Sequence, residues 1–426
     1  MSSGPGDLRE MLAELSHAGF CSNPIRLFGT VTNRTTGTSH TGTVTVACKD
    51  RRAVICPACS RTYKGDAWHL LTAGLKGGKG VTADVAGRPL LFATFTAPSF
   101  GPVHTIPDGH VCRRRADHPV CLHLRPEWCD TTHAENDPML GEPLCEDCFD
   151  YQGAVLWNAH ASKLWQRTTI AVVRALASDQ SVSEKELRSE LRLSFVKVTE
   201  FQRRGLIHVH ALIRADGPDG PDTPPPRWLD PAGLATAVET AAGRATVRTL
   251  WGAIRWGRQL DVKILDRRPD ADPTAVAAYV AKYAVKTSET GGALARPVRS
   301  LYAIRQLGLR PHVARLVRTA WTLGGDPAFD SMKLRAHAHT FGYPGHLLTK
   351  SRAYSTTFGA LRQARASRAA AGTGLEPDET GWRYTGRGYR HPSTALYADA
   401  LTEAAAGLPT TTPAPSPTAP QPPDLE

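Results

Sequence analysis

The stretch Leu206-Ile-His-Val-His-Ala-Leu-Ile213 decides how this chain is read. Side chains two apart on a β-strand share a face. A strand here therefore puts His208 and His210 on one face and packs Val209 on the other. Leu193 to Phe201 reads as the preceding strand, and Gly205 sits in the turn between the two. Glu200 lies near the end of that preceding strand, so a hairpin brings its carboxylate beside the imidazoles. Two histidines and one carboxylate leave open positions on an octahedral ion, which suits Mg2+ or Mn2+ in contact with phosphate oxygens. The plainer reading is a hydrogen-bonded pair of core histidines, with Glu200 pairing with Arg203 or Arg204.

Downstream stands Ala278-Tyr-Val-Ala-Lys-Tyr-Ala-Val-Lys286. In a helix, residues three and four apart are neighbours. Tyr279, Lys282 and Tyr283 then share a face, with Lys286 one turn on. Asp272-Pro273 supplies a cap and a first-turn proline, and Gly291-Gly292 supplies a stop. Aromatic residues at this spacing are ordinarily core. Lysines among them argue for a task, because a cation beside a phenol favours phenolate and activates it as a nucleophile. Two phenols one turn apart can act in turn.

All nine cysteines lie in the first 148 residues: Cys21, Cys48, Cys56, Cys59, Cys112, Cys121, Cys129, Cys145 and Cys148. An odd number, with no export signal, argues against a disulfide framework. Cys56/Cys59 and Cys145/Cys148 have the C-x-x-C spacing that lets two thiolates chelate one tetrahedral ion. Cys21 and Cys48 complete the first site in this reading. Two of Cys112, Cys121 and Cys129, or His123 or His133, complete the second. Two structural zinc ions are expected, and one site built from both pairs stays open.

The 426 residues allow two or three domains, and the net charge of +11 suits a polyanionic partner. Between Arg296 and Arg368 there are 13 Lys and Arg against Asp326 and Asp330. A solvated surface is the bland reading; a DNA track, with Lys286, Arg318, Lys333, Arg335, Lys350 and Arg352 as its cations, is the sharper one. No apolar run reaches membrane-spanning length and no signal peptide opens the chain, so a cytoplasmic protein without a membrane partner is expected. Tyr151 to Ala177 predicts a long helix, Pro89 to Thr96 a buried strand, Pro231 to Thr246 a helix and Asp261 to Leu265 a strand. Residues 216–227 must be a loop. The stretch from Gly407 holds seven prolines among many Thr and Ala, and predicts disorder.

Several stretches together resemble the RepSA-type replication initiators of actinobacterial plasmids and integrative conjugative elements, which are HUH endonucleases. They are Arg51–Tyr63 with its cysteines, Phe92–His104, Leu144–His160, Glu200–His210, Ala278–Lys286 in a two-tyrosine form, and Gly345–Thr357. Their order and number, spread over roughly residues 20–390, carry the resemblance. It implies an α+β fold: an HUH core with a central antiparallel sheet flanked by helices, zinc-binding N-terminal elements and a basic helical C-terminal region. The domains expected are 1–88 with the first cysteine cluster and 89–290 as the catalytic domain, with a second zinc-binding insertion at about 105–150. A basic DNA-binding region at 291–390 and a mostly disordered tail at 391–426 follow.

The resemblance further implies a site- and strand-specific nickase that starts and ends rolling-circle replication. Tyr279 or Tyr283 would form a 5′-phosphotyrosine bond, with Lys282 orienting the group. His208, His210 and Glu200 would hold Mg2+ or Mn2+. The implied partners are origin DNA, single-stranded or in a hairpin, and a host helicase and DNA polymerase. A relaxase is disfavoured because the histidines precede the tyrosines. A related transposase and a non-catalytic zinc-finger regulator remain as other readings.

Overall fold

Antiparallel pairing organises this mixed α+β molecule. The computed structural model describes residues 5–33, 36–106, 111–265, 294, 296–373, 375–377 and 381–407. A helix at Pro5–His17 precedes strands β1 (Ile25–Asn33) and β2 (Ser39–Val46), and a second helix spans Pro57–Lys76. Then come β3 (Leu90–Thr96), the long helix Tyr151–Asp179, β4 (Arg192–Phe201) and β5 (Ile207–Asp216). Helix Pro231–Arg244 leads to the short β6 (Val247–Thr249) and β7 (Gly252–Ile254), and to β8 (Leu260–Ile264). Beyond residue 294 lie helix Pro311–Leu323, β9 (Leu348–Lys350), helix Phe358–Thr373, β10 (Leu375–Pro377), β11 (Arg383–Arg387) and helix Pro392–Gly407.

The described residues fall into two compact units. The first holds residues up to 72 and those from 356 on. In it β1 pairs antiparallel with β2, β10 and β11. Its small core gathers Leu15, Ala18, Tyr389 and Ala398 around Cys21, Cys56 and Cys59. So little apolar burial is a weak basis for a fold, and small domains of this kind commonly lean on a metal.

The second unit holds residues 73–265 and 294–355 among those described. Its five-stranded sheet has the order β8-β3-β5-β4-β9, with every pair antiparallel. Alternation decides the two faces. Leu91, Ala93 and Phe95 of β3 and Val209, Ala211 and Ile213 of β5 are buried in one core with Trp157, Leu164 and Trp165 of the long helix. Leu234 and Val238 of helix Pro231–Arg244 join that core, and so do Val313, Leu316 and Val317 of Pro311–Leu323. Asp150 and Asp230 cap their helices by accepting from Gly153 N and Gly233 N, and Pro231 takes the first helical position. Phe95 is fully buried against Trp165 and Trp256, so truncating it to alanine costs about 3–5 kcal/mol.

The strands expected from alternation and the helix from Tyr151 are present, each within three residues of its expected ends. The stretch 21–65 supplies β1 and β2 and turns helical at Pro57, whose fixed φ suits a first helical turn. Tyr279, Lys282, Tyr283 and Lys286 lie outside the described residues, as does the chain beyond Gly407. No described helix is long and apolar enough to cross a membrane.

Candidate functional site: a histidine face and three metal-ligand clusters

His208 and His210 stand on β5, the middle strand, and on the face opposite the helical core. Register fixes their neighbours. Thr96 and Glu200 flank His208 from β3 and β4, while Thr94 and Val198 flank His210. Asp261 of β8 faces Thr94 on the same side. The His210 Nε2 atom lies 3.5 Å from the Glu200 carboxylate, and its Nδ1 lies 3.1 Å from the Thr94 hydroxyl. His208 Nε2 lies 2.6 Å from the Thr96 hydroxyl, and its Nδ1 lies 3.4 Å from Gln202 Nε2. Glu200 thus stands beside His210 as the hairpin argument expects. His208 is turned toward Thr96, and the three ligand atoms do not form a group as tight as the cysteine clusters below. Burial, then His210 and Arg204, push the His208 imidazole down to about 3, so it is neutral near pH 7 and its ring nitrogens are available as ligands.

The turn before the histidines is held from several sides. Gly205 adopts φ +76°, and a Cβ there would meet Leu316 Cδ1 at 2.2 Å. Glycine satisfies both conditions. The buried Asn158 Nδ2 donates to Gly205 O at 2.9 Å and to Phe341 O at 3.2 Å, while its Oδ1 accepts from Ile207 N at 3.3 Å. Arg204 donates to Gln202 Oε1 and to the carbonyls of Pro98 and Ala97. Burial pushes its guanidinium down to about 10. Asn158 and Gln202 are positioning residues that the sequence did not single out; Thr94 and Thr96, which the sequence suggests only support the sheet, contact the imidazoles. The signal for the threonines was register: each is the direct β3 partner of a histidine, visible only once β3 is set beside β5.

The cysteines assemble into three groups, not two. Cys21, Cys48, Cys56 and Cys59 form the first, as expected. Sulfurs there are 3.6 Å apart between Cys56 and Cys21, and 3.7 Å between Cys48 and Cys59. Tetrahedral zinc with Zn–S near 2.3 Å sets sulfurs about 3.8 Å apart, so the spacing fits. Hydrogen bonds from Cys21 and Cys59 hold the Cys56 thiol far below its ordinary range, while Cys56 pushes Cys21 up to about 12. A divalent cation would let all four ionise together.

Cys145 and Cys148 are joined by Cys121 and His123. His123 Nδ1 lies 3.2 Å from Cys148 Sγ and 3.7 Å from Cys145 Sγ. The remaining Cys112 and Cys129 meet His104 and His133 in a third group. His104 Nδ1 lies 3.1 Å from His133 Nε2, and Cys129 Sγ lies 3.5 Å from that same atom. His133 Nδ1 contacts the Asp137 carboxylate at 2.6 Å, the carboxylate–histidine arrangement that fixes a ligand's tautomer. His104 was missed as a ligand. Its signal was arithmetic: Cys112 and Cys129 lack a C-x-x-C partner and need two further donors.

The cations read as a DNA track differ in freedom. Arg318, Lys333, Arg335 and Arg352 are exposed. Arg335 stacks over Trp321 at 5.3 Å. Lys350 donates to the carbonyls of Ser351 and Arg352 at 3.1 Å each, and burial pushes its ammonium down.

Comparison with known proteins agrees over nearly the whole chain. The family described as RepSA, replication initiator protein, pSAM2, matches residues 7–403. A curated replication initiator protein of Streptomyces ambofaciens is 40% identical over 420 residues, covering 90% of this chain and 88% of its own length. No solved structure gives a significant match. The chain therefore belongs to the RepSA family of replication initiator proteins.

Proposed function

We propose that this replication initiator binds origin DNA and nicks one strand of it, as an HUH endonuclease that drives rolling-circle replication. The observation that carries the reading is the pair His208 and His210 on the middle strand of an antiparallel sheet, with Glu200 3.5 Å from His210 Nε2. His208, His210 and Glu200 would hold a divalent cation, Mg2+ or Mn2+. When bound, the ion supplies charge stabilisation at the scissile phosphate. The donors present suit it: two imidazoles, one neutral through burial, and a carboxylate on the next strand.

The nucleophile is Tyr279 or Tyr283. A phenolate oxygen forms a bond to phosphorus, the P–O3′ bond breaks, and the departing 3′ oxygen takes a proton. The products are a 5′-phosphotyrosine and a free 3′-hydroxyl that a polymerase extends. Lys282 stabilises the phenolate as a neighbouring cation does. The second tyrosine serves the transfer that closes the round. Thr94 orients the His210 imidazole, and Gln202 restrains His208 from the turn.

The three cysteine-containing groups would hold structural zinc, because four protein ligands leave no open position. The exposed cations Arg318, Lys333, Arg335 and Arg352, with Lys286, contribute the salt-dependent backbone affinity that any nucleic-acid partner requires. A strand-cleavage assay with and without Mn2+ tests the reading. His210→Ala is expected to abolish cleavage while DNA affinity persists; cleavage that survives both His208→Ala and His210→Ala contradicts it.

A further inference from the structure

One cleft of about 900 Å3 opens in the sheet-bearing unit, a size typical of ligand sites. The chain just beyond β3 at Ala97–Ser99 and the loop Trp256–Gln259 form one side, and Val103–Ile106 with Leu140-Gly141 form the other. Arg203, Arg204 and Arg258 line it against a single carboxylate, Glu135. That balance selects an anion. Gln202 also lines it, and Gln202 Nε2 lies 3.4 Å from His208 Nδ1, so the cleft borders the histidine face.

The third metal-ligand group builds the far wall. Among the described residues 101–148, Leu140 is the one large hydrophobic side chain that is buried, cysteines aside. An apolar core cannot hold this segment in place. His104 is at once a wall residue and a member of the group. Its N–H donates to Glu142 O and its carbonyl accepts from Gly141 N, both at 2.9 Å. His133, another member, contacts Asp137 at 2.6 Å. The Arg203 guanidinium donates to the carbonyls of Asp137 and Glu135. Gly141, at φ +82°, packs so closely on the Arg203 backbone that a Cβ would lie 2.4 Å from its carbonyl carbon. The chain of contacts runs from the ligands to the β4–β5 turn and ends beside His208.

We propose that a zinc ion held by His104, Cys112, Cys129 and His133 builds one wall of this cleft, and that the cleft seats single-stranded nucleic acid leading to the histidine face. The proposal rests on the reading of that face as a phosphodiester site. Its phosphates meet Arg258 and Arg203 at the exposed lip, and the amides of Gln202 and Gln259 offer donors and acceptors to unpaired bases. The zinc does no chemistry here; it fixes the distance between the wall and the turn.

The test uses the full chain, native mass spectrometry for zinc and fluorescence anisotropy with a labelled oligothymidylate. The double variant Cys112→Ser/Cys129→Ser is expected to lose one zinc ion and to bind the strand at least about fivefold more weakly, the scale of one lost base contact. Arg258→Glu touches no metal ligand. It is expected to keep the full zinc complement and show a similar loss of affinity. Unchanged zinc in the double variant overturns the metal assignment. Wild-type affinity in either variant, or a loss in Arg258→Glu confined to duplex DNA, overturns the occupant. Because binding and not cleavage is read, failure of the nickase reading shows separately, as absent cleavage with these results intact.

Discussion

The Thr96 hydroxyl lies 2.6 Å from His208 Nε2, the atom an imidazole most often offers to a metal. In this arrangement the hydroxyl and a cation compete for one nitrogen. Thr96→Val removes the competitor and keeps the shape. Since one such hydrogen bond is worth about 0.5–1.5 kcal/mol, Mn2+ affinity is expected to rise about two- to tenfold. Calorimetric titration of Mn2+ checks this. Weaker binding in the variant would mean that Thr96 supports the coordinating orientation of the ring.

Three four-ligand groups predict three zinc ions per chain. Native mass spectrometry counts them. Cys56→Ser/Cys59→Ser is expected to remove one and to lower the thermal midpoint, because those sulfurs sit inside the small core around Leu15 and Tyr389. A wild-type chain that carries two ions would return the third group to the status of an ordinary polar cluster.

At the far end of β5, Asp216 is fully buried between Arg88 and Arg214. Arg88 Nη1 reaches it at 2.5 Å, and Arg214 Nε and Nη2 reach it at 2.8 Å each. Two buried guanidinium groups depend on one carboxylate. Asp216→Asn leaves charge uncompensated and is expected to destabilise by about 3–5 kcal/mol. Denaturant unfolding measures it; a loss under about 1 kcal/mol would show that the carbonyls around Arg88 and Arg214 suffice.

His312 is fully buried, with Nδ1 3.0 Å from the Tyr151 hydroxyl and Nε2 3.0 Å from Arg204 O. Burial lowers its imidazole from 6.5 to about 4. Between those values the unfolded chain binds more protons than the folded one. Stability is therefore whole above pH 6.5 and falls as pH drops toward 4. From about pH 7 to about pH 5 the loss through this group is about 2 kcal/mol. His208, lowered to about 3, adds a slope of the same sign. Comparing wild type with His312→Gln by denaturant unfolding at the two pH values isolates the His312 share. An identical slope in both proteins would contradict it.

How far the sequence could be read depended on whether the needed information was local. Alternation from Ile207 to Ile213 and the glycine turn at Gly205 are local, and β4 and β5 stood out with their histidine face and Glu200 beside it. Helix Tyr151–Asp179 stood out because its apolar residues recur at helical spacing. Helix Pro57–Lys76 did not, because Cys56-Pro-Ala-Cys59 drew attention to metal spacing, although Ala67, Leu70, Leu71 and Leu75 are buried at helical spacing. The cysteine partners were legible only as pairs. A C-x-x-C spacing fixes two ligands, but His123 stands 22 residues from Cys145 and His104 29 residues from His133. Those choices belong to the fold. The contact between Thr96 and His208 spans 112 residues and follows from β3 pairing with β5.

Covalent capture tests strand nicking by Tyr279 or Tyr283 most directly. Single-stranded origin DNA would be incubated with Mn2+ and wild type, Tyr279→Phe, Tyr283→Phe or the double variant, and adducts resolved on a denaturing gel. A metal-dependent protein–DNA adduct is expected that the double variant fails to form, although it still binds the strand. An adduct that persists without both tyrosines, or tight binding of origin DNA with no adduct from any protein, would contradict nicking by these tyrosines.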